Sequence, residues 1–263
     1  MRISGSNVLL TGATGGIGHA IAQAVADRGG NLIVTGRRAD MLEQLATEFN
    51  ARTLTVDLAV PEDVERLATE AGDVDILIAN AALPASGALD SFTVNEIDRA
   101  LDVNLRAPMV LAHELAPRMA AKGGGHLLFM SSLLGKAAMT GTAVYSATKY
   151  GLRGFAAALR ADLRDAGVGV SVVFPGMIRE AGMFADAKVD LPPGTGTSSP
   201  EEVSHAVVTA IEKNRGEVDV APLAMRAVSV FGGVAPELAA GLIRRIGADK
   251  VSGKVAEGQR DKR

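Results

Sequence analysis

Asn7-Val8-Leu9-Leu10-Thr11-Gly12-Ala13-Thr14-Gly15-Gly16-Ile17-Gly18 is followed almost at once by Ala20-Ile21-Ala22-Gln23-Ala24-Val25-Ala26. The run at 7–10 has the length and composition of a short buried strand, and the run at 20–26 has the apolar density of a helix packed on a sheet. Between them, glycine permits a tight turn and a close approach, while the helix start adds unpaired N–H donors and a partial positive charge. A nucleotide diphosphate fits such a turn. The spacing Gly-x-x-x-Gly-x-Gly differs from the commoner Gly-x-Gly-x-x-Gly, so the glycines carry weight only with their flanking strand and helix; a flexible loop without a ligand is the plain alternative.

Working outward, apolar runs at 31–35, 52–56, 76–79, 127–130, 170–174 and 218–220 alternate with helical patterns at 39–49, 95–121, 144–164 and 203–213. That rhythm predicts an α/β fold, a doubly wound parallel sheet of about seven strands with helices on both faces. Ser199-Pro200-Glu201-Glu202 supplies an N-cap, a proline at the first helical position and a capping-box glutamate. With 263 residues, 48% of them hydrophobic, the chain can bury a large core, so one domain is expected over 1–247, with a polar, fraying tail at 248–263. A formal net charge of −3 speaks against a nucleic-acid partner, which selects a basic face. Zero cysteines exclude disulfides and thiolate metal sites, and His19, His113, His126 and His205 are too scattered for a metal centre. No signal peptide opens the chain and no apolar stretch reaches the ~20 residues that cross a bilayer, so the expected location is cytoplasmic.

A second constellation is Tyr145-Ser146-Ala147-Thr148-Lys149, with Ser132 upstream. A phenol titrates near pH ~10, so proton exchange near neutrality needs its anion stabilised by ~3 units, roughly 4 kcal/mol. A lysine one helical turn away, with its ammonium ~4 Å from the phenol, supplies about that much at an effective dielectric near 20. The spacing suits a proton donor.

Together these residues resemble the short-chain dehydrogenase/reductase family in its short, single-domain branch, over roughly residues 4 to 222. The resemblance rests on Thr11, Gly12, Gly16 and Gly18 in the turn, on the Tyr145/Lys149 pair, and on Ser132 as the substrate-orienting serine. Asp57 after the third strand, Asn104 in a helix and the Pro175-Gly176 turn follow in the family's order. The resemblance implies a Rossmann-like domain and hydride exchange between a nicotinamide and a carbonyl or secondary alcohol. Tyr145 would be the acid/base, Lys149 would lower its pKa and grip the nicotinamide ribose, and Asn104 would hold a relay water. Ser131 is the alternative to Ser132. Cofactor contacts are implied for Gly12, Thr14, Gly16, Ile17 and Gly18, for Asp57 and Leu58 at the adenine, and for Asn80, Ala81, Pro175 and Gly176 near the nicotinamide side. Two departures stand out. The family's Asn-Asn-Ala-Gly reads Ala79-Asn80-Ala81-Ala82, and Ile178-Arg179-Glu180 stands where many relatives place a carboxamide-binding threonine.

Cofactor choice follows from charge. The second strand ends at Gly36-Arg37-Arg38, where an acidic residue would accept from a ribose 2′-hydroxyl and a guanidinium fork suits a 2′-phosphate. NADP(H) is therefore expected over NAD(H). Leu133, Leu134, Met139, Met177, Met183 and Phe184 are candidate walls of a pocket for an apolar carbonyl or alcohol. The Gly/Pro/Thr-rich 177–198 reads as a substrate lid with a hinge at Leu191-Pro192-Pro193-Gly194-Thr195-Gly196. The apolar and basic 223–246 covers the cleft, joins a subunit interface or lies on a lipid surface. Kinship implies a homodimer or homotetramer. Two other functions stay open: a catalytically silent NADP(H)-sensing protein, and a membrane-surface lipid-processing reductase.

Overall fold

The computed structural model describes residues 1–186, 196–235, 237–238, 241 and 257–259. In chain order the elements are β1 (Asn7–Thr11), α1 (Gly16–Ala26), β2 (Asn31–Gly36), α2 (Ala39–Phe49), β3 (Arg52–Thr55), α3 (Pro61–Glu70), β4 (Ile76–Ala79) and α4 (Val94–Leu101). They continue with α5 (Ala107–Ala121), β5 (Gly125–Met130), α6 (Ala143–Asp162), β6 (Val168–Pro175), α7 (Gly182–Asp186), α8 (Pro200–Glu212), β7 (Glu217–Val220) and α9 (Leu223–Val234). Among the described residues the strands form one seven-stranded sheet, ordered β3-β2-β1-β4-β5-β6-β7 and parallel at every pairing.

Successive strand residues point to opposite faces, and here both faces are covered, which is why the strands read as unbroken apolar runs. Leu9, Leu77, Leu127 and Phe129 pack on one side against Leu67 of α3, Leu111 and Leu115 of α5 and Leu152 of α6. Val8, Leu10, Ile76, Ile78 and Leu128 pack on the other against Ile21 and Val25 of α1 and Val203, Val207 and Ile211 of α8. Each such side chain, fully buried, stabilises the fold by about 1.5–3 kcal/mol. The sheet order reverses between β1 and β4, and a crevice opens beyond their carboxyl ends, where doubly wound sheets hold their ligands.

The expected strands and helices are all present, and the α8 cap forms as read: Ser199 Oγ accepts from Glu202 N at 3.2 Å, and Glu202 Oε2 from Ser199 N at 2.7 Å. One difference matters. The helix expected over 95–121 is interrupted by a π-helical turn, Asp102–Arg106, between α4 and α5. Pro108 lacks the N–H that would bond the Asn104 carbonyl four residues back. The buried Asn104 side chain also braces a neighbouring loop, its Oδ1 accepting from Leu83 N at 2.7 Å and its Nδ2 donating to Leu83 O at 2.9 Å. Among the described residues no helix is long and apolar enough to cross a membrane. Of the hinge expected at 191–196 only Gly196 lies within the described residues, and most of 236–263 lies outside them. Gln259, within the 248–263 tail expected to fray, is 1% exposed.

Candidate active site

A cleft of about 1100 Å³ lies over the carboxyl ends of the strands, and it gathers both constellations picked out in the sequence. Its floor is the turn after β1. Gly12 adopts φ +68°, open to glycine at little cost. A Cβ on Gly12 would meet Ala81 Cα at 2.8 Å, one on Gly16 would meet Ala181 Cβ at 2.6 Å, and one on Gly18 would meet Gly12 O at 2.1 Å. The turn therefore packs too closely for side chains. Gly15 caps α1 without a side-chain hydrogen bond, and no acidic residue stands in the first turn, so the N–H groups at the helix start are left for a ligand.

The neighbouring stretch holds this turn despite its alanines. Thr11 Oγ1 accepts from the backbone N–H of Asn80 and of Ala81, both at 3.1 Å, and Asn80 Nδ2 donates to Thr11 O at 3.1 Å and Gly12 O at 3.2 Å. Ala79 and Ala82 leave that bracing in place. This donor set and the bare glycine cradle fit a dinucleotide pyrophosphate. Thr14, Ile17, Leu58, Pro175 and Gly176 also line the cleft. Arg37 and Arg38 border a smaller pocket with Thr14 at the end of β2, and among the described residues neither is paired with a carboxylate.

At the opposite end α6 presents Tyr145 and Lys149 one turn apart, both buried. Ser132 is the side chain that draws the Tyr145 phenol pKa down. Ser132 Oγ also accepts from Leu134 N at 3.2 Å, whereas Ser131 Oγ donates to Lys149 O at 3.1 Å. Ser131 thus ties the loop to α6, and Ser132 faces the phenol. Behind Ser132, the Lys136 ammonium pairs with Asp219 at 2.6 Å and Glu217 at 2.9 Å and sits 4.0 Å from the Phe174 ring centre, fastening this loop to β7.

Burial acts on both members of the pair. Burial pushes the Tyr145 phenol up to about 12, with Ser132 drawing it back, and pulls the Lys149 ammonium down to about 8. Lys149 Nζ lies 5.6 Å from the Tyr145 ring centre and donates to Met130 O at 2.9 Å. Burial therefore opposes charge on both groups, and the lysine's field lowers the phenol only while it stays charged.

Leu133, Leu134, Met139, Met177, Met183 and Phe184 all line the phenol end of the cleft. From α9, Met225, Val228 and Ser229 also face it, while Leu223, Val230 and Val234 are exposed. Beyond the Pro-Gly turn, Ile178 is buried and bridges to Ser198, and Arg179 pairs with Glu180. Several lining residues escaped the sequence reading, Arg99, Val103 and Gln259 among them. Arg99 and Val103, spaced i, i+4, enter from α4 and the π turn, and that spacing on the helical pattern that also carries Asn104 is the available signal. Gln259, whose Nε2 donates to Met183 O, had none. Asp57 is engaged on its own protein: Oδ1 accepts from Ala59 N at 3.0 Å and Oδ2 from Arg99 at 3.4 Å.

A family profile described as short chain dehydrogenase matches residues 6–191. The ketoacyl reductase HetN of Nostoc sp. is 35% identical over 228 residues, 83% of this chain and 79% of that protein. The 3-oxoacyl-[acyl-carrier-protein] reductase FabG of Rickettsia conorii is 31% identical over 214 residues, 78% of this chain and 88% of its own. A short-chain dehydrogenase from Sphingobium yanoikuyae, solved in complex with NADPH, superposes with a TM-score of 0.76 at 28% identity, covering 89% of this chain and 95% of that one. These findings agree with the cleft and its residues, and the chain belongs to the short-chain dehydrogenase/reductase family of nicotinamide-dependent oxidoreductases.

Proposed function

We propose that this enzyme uses NADP(H) to interconvert an apolar ketone or aldehyde and its alcohol. The observation that carries the reading is the buried Tyr145, one helical turn from Lys149 and with Ser132 drawing its phenol pKa down, in a cleft whose floor is the glycine turn. The reduced nicotinamide, when bound, supplies the hydride. Tyr145 donates its proton to the substrate oxygen as negative charge develops there, and takes it back in the reverse direction. Ser132, held by Leu134 N and by the Lys136 anchor, orients that oxygen. Lys149 in its charged form stabilises the phenolate and grips the ribose. Both side-chain atoms of Asn104 are bonded to Leu83, so its relay water falls to the backbone carbonyl that Pro108 leaves without its helical donor. Gly12, Thr14, Gly16, Ile17 and Gly18 hold the pyrophosphate, Asp57 and Leu58 the adenine, and Asn80, Ala81, Pro175 and Gly176 the nicotinamide half. Arg37 and Arg38 answer a 2′-phosphate. The long α5 and α6 helices are the surfaces that pair subunits into a homodimer or homotetramer.

The test is NADPH oxidation by the purified protein across apolar ketones, aldehydes, quinones, steroids and 3-oxoacyl thioesters, the last suggested by the two reductases above, with alcohols assayed in reverse. Tyr145→Phe should abolish turnover and leave NADPH binding nearly intact. Tight NADPH binding without turnover on any member would replace this reading with a nucleotide-sensing one.

A further inference from the structure

We propose that Lys136 is a positioning residue for the reaction: with Glu217, Asp219 and Arg153 it forms an ion-paired clamp that fixes Ser132 against Tyr145 from outside the cleft. This rests on the roles given to Ser132 and Tyr145 above. None of the four charged side chains lines the cleft. Any part they take in turnover must therefore pass through the residues that do.

The clamp joins the two elements that carry the chemistry. Lys136 ends the tight turn that Ser132 begins, where Gly135 N donates to Ser132 O at 2.8 Å and Lys136 N to Leu133 O at 2.9 Å. On the other element, Arg153 lies one helical turn past Lys149 and two past Tyr145. Glu217 and Asp219 are alternate residues of β7 and share one face of the sheet. Lys136 Nζ donates to Asp219 Oδ1 at 2.6 Å and pairs with Glu217 Oε2 at 2.9 Å. Arg153 grips the same Glu217 with two donors, Nε to Oε1 at 2.7 Å and Nη2 to Oε2 at 3.2 Å. Both cations also lie against the Phe174 ring of β6, at 4.0 Å and 5.7 Å from its centre.

Such charge-assisted bonds are short and directional. The Lys136 side chain is only 9% exposed, so its ammonium depends on these carboxylates for the solvation that folding removes. Burial raises the Glu217 carboxyl, and the hydrogen bonds from Arg153 and Lys136 outweigh it and hold the group below its ordinary value, so the bridge stays ionised. The turn also meets α6 without slack, because a Cβ on Gly135 would stand 2.6 Å from Ser131 Oγ and 2.8 Å from Lys149 O. With Lys136 released, the turn is free to shift along α6, and Ser132 moves relative to the phenol.

The experiment follows NADPH oxidation with an apolar ketone of the panel above, NADPH affinity by nicotinamide fluorescence, and urea unfolding, for full-length wild type, Lys136→Met, Lys136→Arg and Asp219→Asn. Lys136→Met should lower kcat at least ~10-fold, towards the roughly 100-fold that a misplacement of ~1 Å costs, with NADPH affinity nearly unchanged. Lys136→Arg keeps a cation able to span both carboxylates and should restore most of the rate. Asp219→Asn keeps the side-chain shape and should lower kcat in the same direction, which serves as the test if Lys136→Met does not fold. In a Ser132→Ala background there is no hydroxyl to place, so either substitution should cost no more than about 2-fold further in single turnovers with enzyme in excess. An unchanged kcat in Asp219→Asn or in folded Lys136→Met, a loss of NADPH affinity in step with kcat, or full additivity with Ser132→Ala would each overturn the proposal and leave Lys136 a purely structural charge. Failure of the wild type to oxidise NADPH with any member of the panel would instead overturn the reading on which it rests.

Discussion

Lys149→Met removes the ammonium beside Tyr145 and keeps an unbranched apolar side chain in a position only 1% exposed. The Nζ is 5.6 Å from the phenol ring centre; at an effective dielectric near 20 a unit charge at that range stabilises a phenolate by about 3 kcal/mol, or ~2 pKa units. Burial holds Lys149 at about 8, so near neutrality it remains ~90% protonated and exerts that field, and it stops doing so as pH rises through its pKa. Alcohol oxidation requires Tyr145 to accept a proton. With saturating nucleotide, its rate near neutrality should fall about 100-fold in the variant, and the inflection contributed by the lysine should disappear from the pH profile. The chain has 2 tyrosines and no tryptophan, so a near-ultraviolet tyrosinate titration, with Tyr145→Phe as the blank for Tyr150, follows the same phenol directly. An oxidation rate within a few-fold of wild type, or an inflection that persists in the variant, refutes the coupling.

Three further outcomes follow from the same geometry. Arg37→Asp should lower affinity for NADPH far more than for NADH in parallel fluorescence titrations, and equal losses would remove Arg37 from 2′-phosphate recognition. Gly18→Ala puts a Cβ 2.1 Å from Gly12 O and 2.8 Å from Ala13 Cα; the turn must open, costing about 1–3 kcal/mol in denaturant unfolding and eliminating nucleotide binding, so unchanged binding would contradict the cradle. Buried His126, hydrogen-bonded with Ser171 at 2.8 Å, is pulled by desolvation from 6.5 to about 3. Between those values the unfolded chain holds a proton that the folded one does not, so stability falls as pH drops through that window. Acidifying from pH ~7 to ~5 should cost wild type about 2 kcal/mol more than His126→Gln in urea titrations, and parallel slopes would disprove this.

Local pattern and chemistry made much of this enzyme legible before any fold was considered. Strand and helix periods set the α/β alternation, the glycines at 12, 16 and 18 marked a turn where side chains do not fit, and the i, i+4 spacing put Tyr145 and Lys149 on one helical face. These are properties of neighbouring residues, so one-dimensional spacing carries them. Tertiary packing decided the rest. The division of labour between Ser131 and Ser132 depends on how their loop meets α6, and the π turn at Asn104 on a bond to Leu83 from another segment. Arg99 reaches Asp57 across 42 positions, and Gln259 reaches Met183 across 76. Burial's pull on Tyr145 and Lys149 could not be read from spacing, because desolvation depends on the surrounding sheet and helices, which assemble only when distant parts of the chain pack together.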